Sequence, residues 1–329
     1  MKYVYVLTST EKDLYYEQCL MSVFSLRHYM PKAFISIITD NKTNETFNNR
    51  LELKNYVNEI ISVPFNDTVS NIERSRRLKT TIPDYINDSF LFIDCDTIVC
   101  DNLSEIENSN YDIAAVLDGH VKLDEHKHKE YFLKREKKIG YQGTKYNNYH
   151  VNSGIIYFKN TEKSKLFFKK WHELWERNYD KYHDHHDQGP FNEALYQCNI
   201  KDCLLNGEWN CQISQGGLAY LQNAKIIHYF SSEFAGKNYV PYYKLADKKL
   251  QNEIKETGVI PDNIRELILN PKFQFNKVHL LNDQRIINII QSPMILTYAD
   301  IKTKCPLLFK ILECPFTLLR KLLKKIVKK

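Results

Sequence analysis

The chain has 329 residues, long enough to bury one large α/β core or such a core with an extension. Apolar residues make up 43%, which excludes global disorder. The formal net charge of +6 sits at one end: residues 315–329 carry six of the 46 Lys/Arg and no acid. The remainder is neutral by count, which disfavours a nucleic-acid-binding surface spread over the fold.

The first seven residues, Met1-Lys-Tyr-Val-Tyr-Val-Leu7, read as a strand and lack the long apolar region and cleavage site of a signal peptide. No stretch reaches the about 18 continuous apolar residues that span a bilayer. The eight cysteines, with no CxxC pair, are expected to be reduced thiols of a cytoplasmic protein rather than disulfides or a structural zinc site.

In chain order, the pattern predicts a strand at Tyr3–Leu7, an amphipathic helix over about Leu14–Tyr29 and a strand at Phe34–Thr39. A helix near Thr46–Asn55, a strand at Glu59–Val63 and a helix near Ile72–Thr80 lead to a strand at Phe90–Ile93. Strands separated by helical stretches imply βαβ units and a parallel sheet. A strand at Tyr111–Val116 is followed by a polar segment, 119–150, with His126-Lys-His-Lys-Glu130 placed inside a helix. That segment reads as a solvated face and loop, or as a flap toward an acceptor. Beyond it lie a strand at Ile155–Phe158, helices at Ser164–Arg177 and Gln188–Gln197, and a mostly helical remainder through Tyr242–Glu256, Asp262–Leu269 and Asp283–Gln291.

The most informative stretch is Phe90-Leu-Phe-Ile-Asp-Cys-Asp96. An uninterrupted apolar run reads as a strand covered on both faces, and such strands bind ligands at their carboxyl ends. Asp94 and Asp96 stand at that end, where paired carboxylates suit a hard divalent cation whose other positions are filled by phosphate oxygens. A surface turn is the plainer reading of an isolated Asp-x-Asp. The blocks that follow argue against it: Val151-Asn-Ser-Gly-Ile-Ile-Tyr-Phe158, Asp187-Gln-Gly-Pro-Phe-Asn192, Glu208-Trp-Asn210 and Ile226-Ile-His-Tyr229.

Taken in this order, over about the first 240 residues, these blocks resemble the retaining sugar-nucleotide glycosyltransferases of family 8. The family includes bacterial galactosyl- and glucosyltransferases of lipopolysaccharide and surface glycans. The resemblance implies a GT-A fold, a Rossmann-like mixed sheet flanked by helices, over residues 1–240. Residues 241–304 would form a helical C-terminal elaboration. It implies Mn2+ or Mg2+ held by Asp94, Asp96 and His228, and a UDP-hexose donor. Donor contacts would come from Leu7, Thr8 and Ser9 at the end of the first strand, from Arg77, Asp94 and Cys95, and from Asn152 and Ser153. Arg76 and Lys79 remain alternatives to Arg77. Lys237 would replace a phosphate-binding lysine, in a segment, Phe230-Ser-Ser-Glu-Phe-Ala-Gly-Lys-Asn238, that departs from the family pattern. Asp187 and Gln188 would be the catalytic pair on the β-face of the anomeric carbon. His183-Asp-His-His-Asp187 reads as a polar loop rather than a second metal cluster.

Residues 305–329 form the tail. From Pro315 on, Phe316, Leu319, Leu322/Leu323 and Ile326 fall on one helical face and the basic residues around the other. Such a helix lies on an anionic membrane surface; packing against the body is the alternative. The expectation is a cytoplasmic enzyme, peripheral on the inner membrane face, acting on a glycan or glycolipid acceptor and binding no nucleic acid. A haloacid-dehalogenase-like phosphatase is the competing enzyme reading, since the strand-end Asp-x-Asp also suits one. Ile98 stands where that motif has Thr or Val, and no later Gly-Asp-x-x-x-Asp block occurs. A non-catalytic carbohydrate- or membrane-binding protein would not need these acidic and histidine blocks together.

Overall fold

The computed structural model describes residues 1–230, 243–275 and 292–326, with side chains to residue 319 in the last segment. The chain divides into two compact units, 1–275 and 276–329.

In the first unit β1 (Lys2–Leu7), α1 (Tyr15–Tyr29), β2 (Phe34–Asp40), α2 (Asn41–Thr46), β3 (Glu59–Val63), α3 (Asn71–Thr80) and α4 (Ile82–Tyr85) follow in order. Strands β4 (Phe90–Ile93) and β5 (Thr97–Val99) flank the Asp-Cys-Asp turn, and β6 (Ile113–Leu117) comes next. Helices α5 (Lys129–Ile139) and α6 (Gly143–Asn147) precede β7 (Val151–Phe158), α7 (Glu162–Tyr182) and α8 (Gln188–Gln197). The short strands β8 (Leu204–Leu205), β9 (Cys211–Gln212) and β10 (Ile226–His228) are followed by α9 (Lys248–Thr257) and α10 (Asp262–Leu269).

The main sheet has seven strands in the order β3-β2-β1-β4-β7-β6-β8. The βαβ half, β3 to β4, is parallel, while β7 runs antiparallel to both β4 and β6. β1 is flanked by β2 on one side and β4 on the other, so the winding reverses beside it. A crevice opens outside the strand ends at such a reversal. Leu7 and Ile93 are the last residues of β1 and β4, and the Asp94–Asp96 turn leaves from there. A second, three-stranded sheet, β5-β10-β9, brings His228 opposite Thr97.

All four β4 side chains are buried, with Phe90 stacked on Phe158 at 4.5 Å. Phe167, Phe168 and Trp171 of α7 cover that face, and Phe191 of α8 packs on Trp171. Burial of each large apolar side chain contributes about 1.5–3 kcal/mol, so this cluster fixes where the turns at the strand ends project.

Three boundaries depart from the sequence expectation. The helix placed near 46–55 is α2, ending at Thr46, and a separate 3-10 turn at Glu52–Asn55. Asp40 caps α2 by accepting from the amides of Lys42 and Thr43, which starts the helix earlier than the apolar pattern implied. α5 begins at Lys129, so His126 precedes it and is instead tied to Asp118. β7 starts at Val151, so Asn152 and Ser153 lie within a strand. Their polar groups are satisfied inside the protein, which is how a polar pair fits a buried strand.

Residues 243–275 belong to the first unit: Tyr243 bridges Phe275, and Gln251 of α9 accepts from the Gln18 side-chain amide at 3.1 Å. The helix expected at Asp283–Gln291 lies outside the described residues. The second unit holds α11 (Pro293–Lys304) and α12 (Pro306–Ile326), joined by a Tyr298–Phe309 ring contact at 4.8 Å. α12 starts well before the basic tail and carries Pro315 inside it. No helix among the described residues is long and apolar enough to cross a membrane.

Candidate active site

The cleft at the sheet reversal has a volume of about 290 Å³. It is lined by the ends of β1 and β4 (Leu7, Thr8, Asp94, Cys95, Asp96), by Arg76 and Lys79 of α3, by Asn152 and Ser153 of β7, and by Asp187, Gln188 and His228.

Asp94, Asp96 and His228 present ligand atoms all within 4.8 Å of one another, and they are the only such triad among the described residues. The backbone sets this up: the Asp94 amide donates to the Gly154 carbonyl at 2.8 Å, and the Tyr229 amide to the Asp96 carbonyl at 3.1 Å. Two carboxylates and one imidazole are a donor set for a hard or borderline divalent cation. The His228 ring is held for this task. Its Nδ1 lies 3.0 Å from Asn210 Oδ1, which accepts only, so Nδ1 donates there, and Nε2 faces Asp96 at 3.3 Å, the nitrogen left to bind a cation. Asn210 in turn donates to Asn152 Oδ1 at 2.9 Å, Asn152 donates to Asp118 at 3.1 Å, and Asp118 faces His126 Nε2 at 3.2 Å. A buried polar chain therefore runs from His228 to His126. Gly154 leaves the space it needs: a Cβ there would sit 2.5 Å from the His228 ring.

Charge in the cleft is arranged asymmetrically. Burial and the adjacent Asp96 raise the Asp94 pKa, against the pull of Lys79. Burial acts on Asp96 in the same sense and is the largest single influence, but His228, a backbone hydrogen bond and Lys79 together outweigh it and the net shift is downward. Asp187 is buried too, yet Arg76 and Lys79 hold its pKa well below the usual carboxylate range. Lys79 Nζ is 3.1 Å from one Asp187 oxygen, Arg76 Nε 3.1 Å from the other, and the Ser153 hydroxyl donates at 2.9 Å. Lys79 also reaches Asp94 at 3.4 Å, so one buried ammonium joins the Asp94 and Asp187 carboxylates. The Asp187–Gln188 turn is fixed from behind: the Trp171 indole donates to the Asp187 carbonyl at 2.9 Å, and the Asn192 amide to the Gln188 carbonyl at 2.8 Å.

The model of the family described as glycosyl transferase family 8 matches residues 8–233. The chain belongs to glycosyltransferase family 8. It is an enzyme of the glycosyltransferase class. No curated protein sequence matches it. Among solved structures it is similar to the galactosyltransferase LgtC in complex with donor and acceptor sugar analogues, at 16% identity and a TM-score of 0.51, covering 81% of this chain and 99% of that one. An active-site mutant of LgtC gives 15% identity and a TM-score of 0.52, covering 80% and 99%. Mouse xyloside xylosyltransferase 1 in its apo form gives 13% and 0.47, covering 69% and 96%. The family membership and the LgtC likeness establish the GT-A fold.

Of the residues expected from the family 8 resemblance, the structure gathers Leu7, Thr8, Asp94, Cys95, Asp96, Asn152, Ser153, Asp187, Gln188 and His228 around one cleft. Ser9 is buried beside it, its amide donating to Thr43 and its hydroxyl to Asp13. Arg77 is elsewhere. It is held by Glu73 at 3.0 Å and Glu176 at 2.5 Å, on the α7 side of α3, while Arg76 and Lys79 face the cleft. Helical geometry explains this: adjacent residues on a helix point about 100° apart, and only one can face the crevice. Lys237 lies outside the described residues. His183–His186 form a polar turn, with His183 in the left-handed region ending α7 and Asp184 bound to Arg135 and His186. The sequence reading missed Asn210, Trp171, Asn192 and Gly154. The Trp-Asn pair in Glu208-Trp-Asn210 signalled a block, without showing that its asparagine would meet the histidine.

Proposed function

We propose that the protein is a retaining, metal-dependent hexosyltransferase that moves galactose or glucose from a UDP-sugar to a bacterial surface-glycan, lipopolysaccharide or lipid-linked acceptor. The observation that carries this reading is the convergence of Asp94, Asp96 and His228 on the same cleft as the Asp187–Gln188 turn. Those three residues would hold Mn2+ or Mg2+. When bound, such a cation supplies Lewis-acid neutralisation of the departing diphosphate.

The chain's own groups do the rest. Leu7 and Thr8 at the end of β1 flank the base. Lys79 and Arg76 add positive charge beside the diphosphate and keep Asp187 ionised. Both Asp187 oxygens are already engaged by cations and a hydroxyl, so this carboxylate is a poor nucleophile and a good acceptor for sugar hydroxyls. Asn152 and Ser153 suit the same role. The Gln188 amide suits stabilising positive charge at the anomeric carbon. This favours attack from the leaving-group face. The bond from C1 to the phosphate oxygen breaks, a bond from C1 to the acceptor oxygen forms, and the acceptor's proton passes to the leaving diphosphate. Retention follows.

The second unit supports a peripheral position on the inner face of the cell membrane. Leu307, Ile311 and Phe316 of α12 are each more than 60% exposed, and six basic residues follow between positions 320 and 329. An exposed apolar helix continued by lysines suits an anionic surface, at roughly 1 kcal/mol per basic residue.

The test is UDP release from UDP-galactose and UDP-glucose, with manganese and with EDTA, followed by proton NMR of the sugar product. Manganese-dependent release giving first the α-anomer is expected. Full activity in EDTA, or a β-anomer, overturns the metal or the retaining assignment respectively.

A further inference from the structure

Resting on that reading, we propose that the acceptor carries an anionic group, a phosphate or a sugar carboxylate, and that a basic lane along α5 receives it. The donor cleft does not end at Gln188. Asn152, Gln188 and Phe230 also line a second cavity of about 480 Å³, whose other walls come from α5 and the two residues before it, from Asp118, His150 and Gln215, and from the turn after α7. Tyr131, Arg135 and His186 then line both this cavity and an open groove of about 810 Å³. One trough thus leads from the anomeric position outward along α5.

Its chemistry changes along the way. Near Gln188 it is aromatic: Phe132 stacks on His150 at 4.0 Å, Phe230 stacks on His228 at 4.0 Å, and Tyr131 stands 53% exposed. Flat apolar faces of this kind pack against pyranose rings, and the cavity is of the size that holds a small ligand. Farther out it is cationic. Lys134, Arg135, Lys137 and Lys138 line the groove and Lys127 the cavity. Among the described residues, Lys127, Lys134, Lys137 and Lys138 make no ion pair. Three of the acids nearby are already committed: Asp184 to Arg135 and His186, Asp118 to His126, and the buried Glu136 to the Thr144 amide; Glu130, exposed in the first turn of α5, offsets one of the lysines.

A solubilising surface is the plain alternative. It does not explain the pattern well. Without residues 315–329 the chain is neutral by count, so the charge along α5 is local. Lys134 lies three and four residues before Lys137 and Lys138, spacings at which like charges cost a few tenths of a kcal/mol. The helix dipole favours Lys137 and Lys138 in the last turn, but not Lys127, Lys134 or Arg135. A row of free cations that folding does not need, leading into the reaction centre, suits a negatively charged substrate.

The experiment compares acceptors in pairs, with manganese and the better of UDP-galactose and UDP-glucose. Neutral 4-nitrophenyl β-galactoside and β-glucoside are set against their 6-phosphates and 4-nitrophenyl β-glucuronide. UDP release above the acceptor-free background gives kcat/KM for each. The wild type should favour an anionic acceptor by about tenfold or more, and salt should shrink that advantage. A preference confined to the phosphates names a glycosyl phosphate, and one confined to the glucuronide names a uronic acid; either supports the proposal. Two triple variants, Lys134→Gln/Lys137→Gln/Lys138→Gln and Lys134→Glu/Lys137→Glu/Lys138→Glu, should lose most of the advantage. The neutral acceptor in the same preparation reports whether each variant is folded. A wild-type ratio near one, or a ratio kept by both variants, overturns the proposal. Variants that leave anionic phosphatidylglycerol vesicles while keeping the acceptor ratio also overturn it, by assigning the lane to a membrane surface. If acceptor-free UDP release is itself absent from both donors, the transfer reading falls first and this inference with it.

Discussion

The donor cleft and the α5 lane adjoin each other, yet they are built by opposite means. The cleft is made of strand ends. Asp94, Asp96, Ser153 and His228 leave from β4, β7 and β10, whose neighbouring side chains are buried, and their backbones are hydrogen-bonded across the sheets. Each charged group there has a partner within 3.5 Å. The lane is a helix surface with free lysines, reached from the sheet only through turns. The difference teaches that the cleft's groups are held rigidly by the core, while the α5 lysines, proposed to meet the second substrate, stand on a face that can change without disturbing the fold.

The sharpest way to break the comparison is to cut the cleft's proposed metal set. Asp96→Asn or Asp94→Asn should lower manganese-dependent UDP release by about 10³-fold, the several kcal/mol that a bound cation supplies, and leave the circular dichroism spectrum unchanged. Retained activity would make the carboxylates structural.

The border between the two regions gives the next effect. Burial lowers the His150 pKa from 6.5 to about 4, against the upward pull of Asp118. The unfolded chain therefore takes up this proton near pH 6.5, while the folded chain resists until about 4. Its contribution is complete above 6.5 and lost as pH falls toward 4, a change of about 3 kcal/mol. Denaturant unfolding between pH 7 and 4 should show that slope in the wild type and a shallower one in His150→Gln.

Removing the support behind His228 should cost less than removing a carboxylate of the proposed metal set. Asn210→Ala should weaken manganese-dependent UDP binding by about 10–100-fold, the range for partners that orient a ligand. Gly154→Ala should do the same by pushing the His228 ring aside. Unchanged binding in both would mean that the ring needs no holding.

The smallest effect on catalysis belongs to the second unit. Deleting residues 306–329 should release the protein from anionic vesicles and change transfer to a soluble acceptor by less than about twofold, because screened surface charge acts on association and not on the site. Vesicle binding that survives the deletion would remove the membrane reading of α12.

The same contrast explains what the sequence disclosed. Strands β3 and β4 and helices α8 and α10 were legible to the residue, because apolar residues at the strand and helix periods mark them. That Asp94, Asp96, His228, Asp187 and Gln188 would share one cleft was legible because they stand in short blocks, the first three at strand ends and the last two where α8 begins. Choosing between Arg76 and Arg77 was not possible from pattern alone, since helix phase decides which faces the cleft and α3 has only two apolar residues, Ile72 and Leu78, to set that phase. Asn210 was hidden for another reason: its meeting with His228 is made by β10 pairing with β9, a contact between segments 18 residues apart. The lane was invisible in the chain's total charge, because acids elsewhere balance it.

The central claim is that Asp94, Asp96 and His228 bind the donor's diphosphate through a divalent cation. Isothermal titration of UDP into the wild type and Asp96→Asn, each with manganese and with EDTA, tests it most directly. The account predicts tight binding only for the wild type with manganese, weaker by about 100-fold or more in the other three conditions. Equal affinity for UDP in all four would contradict it.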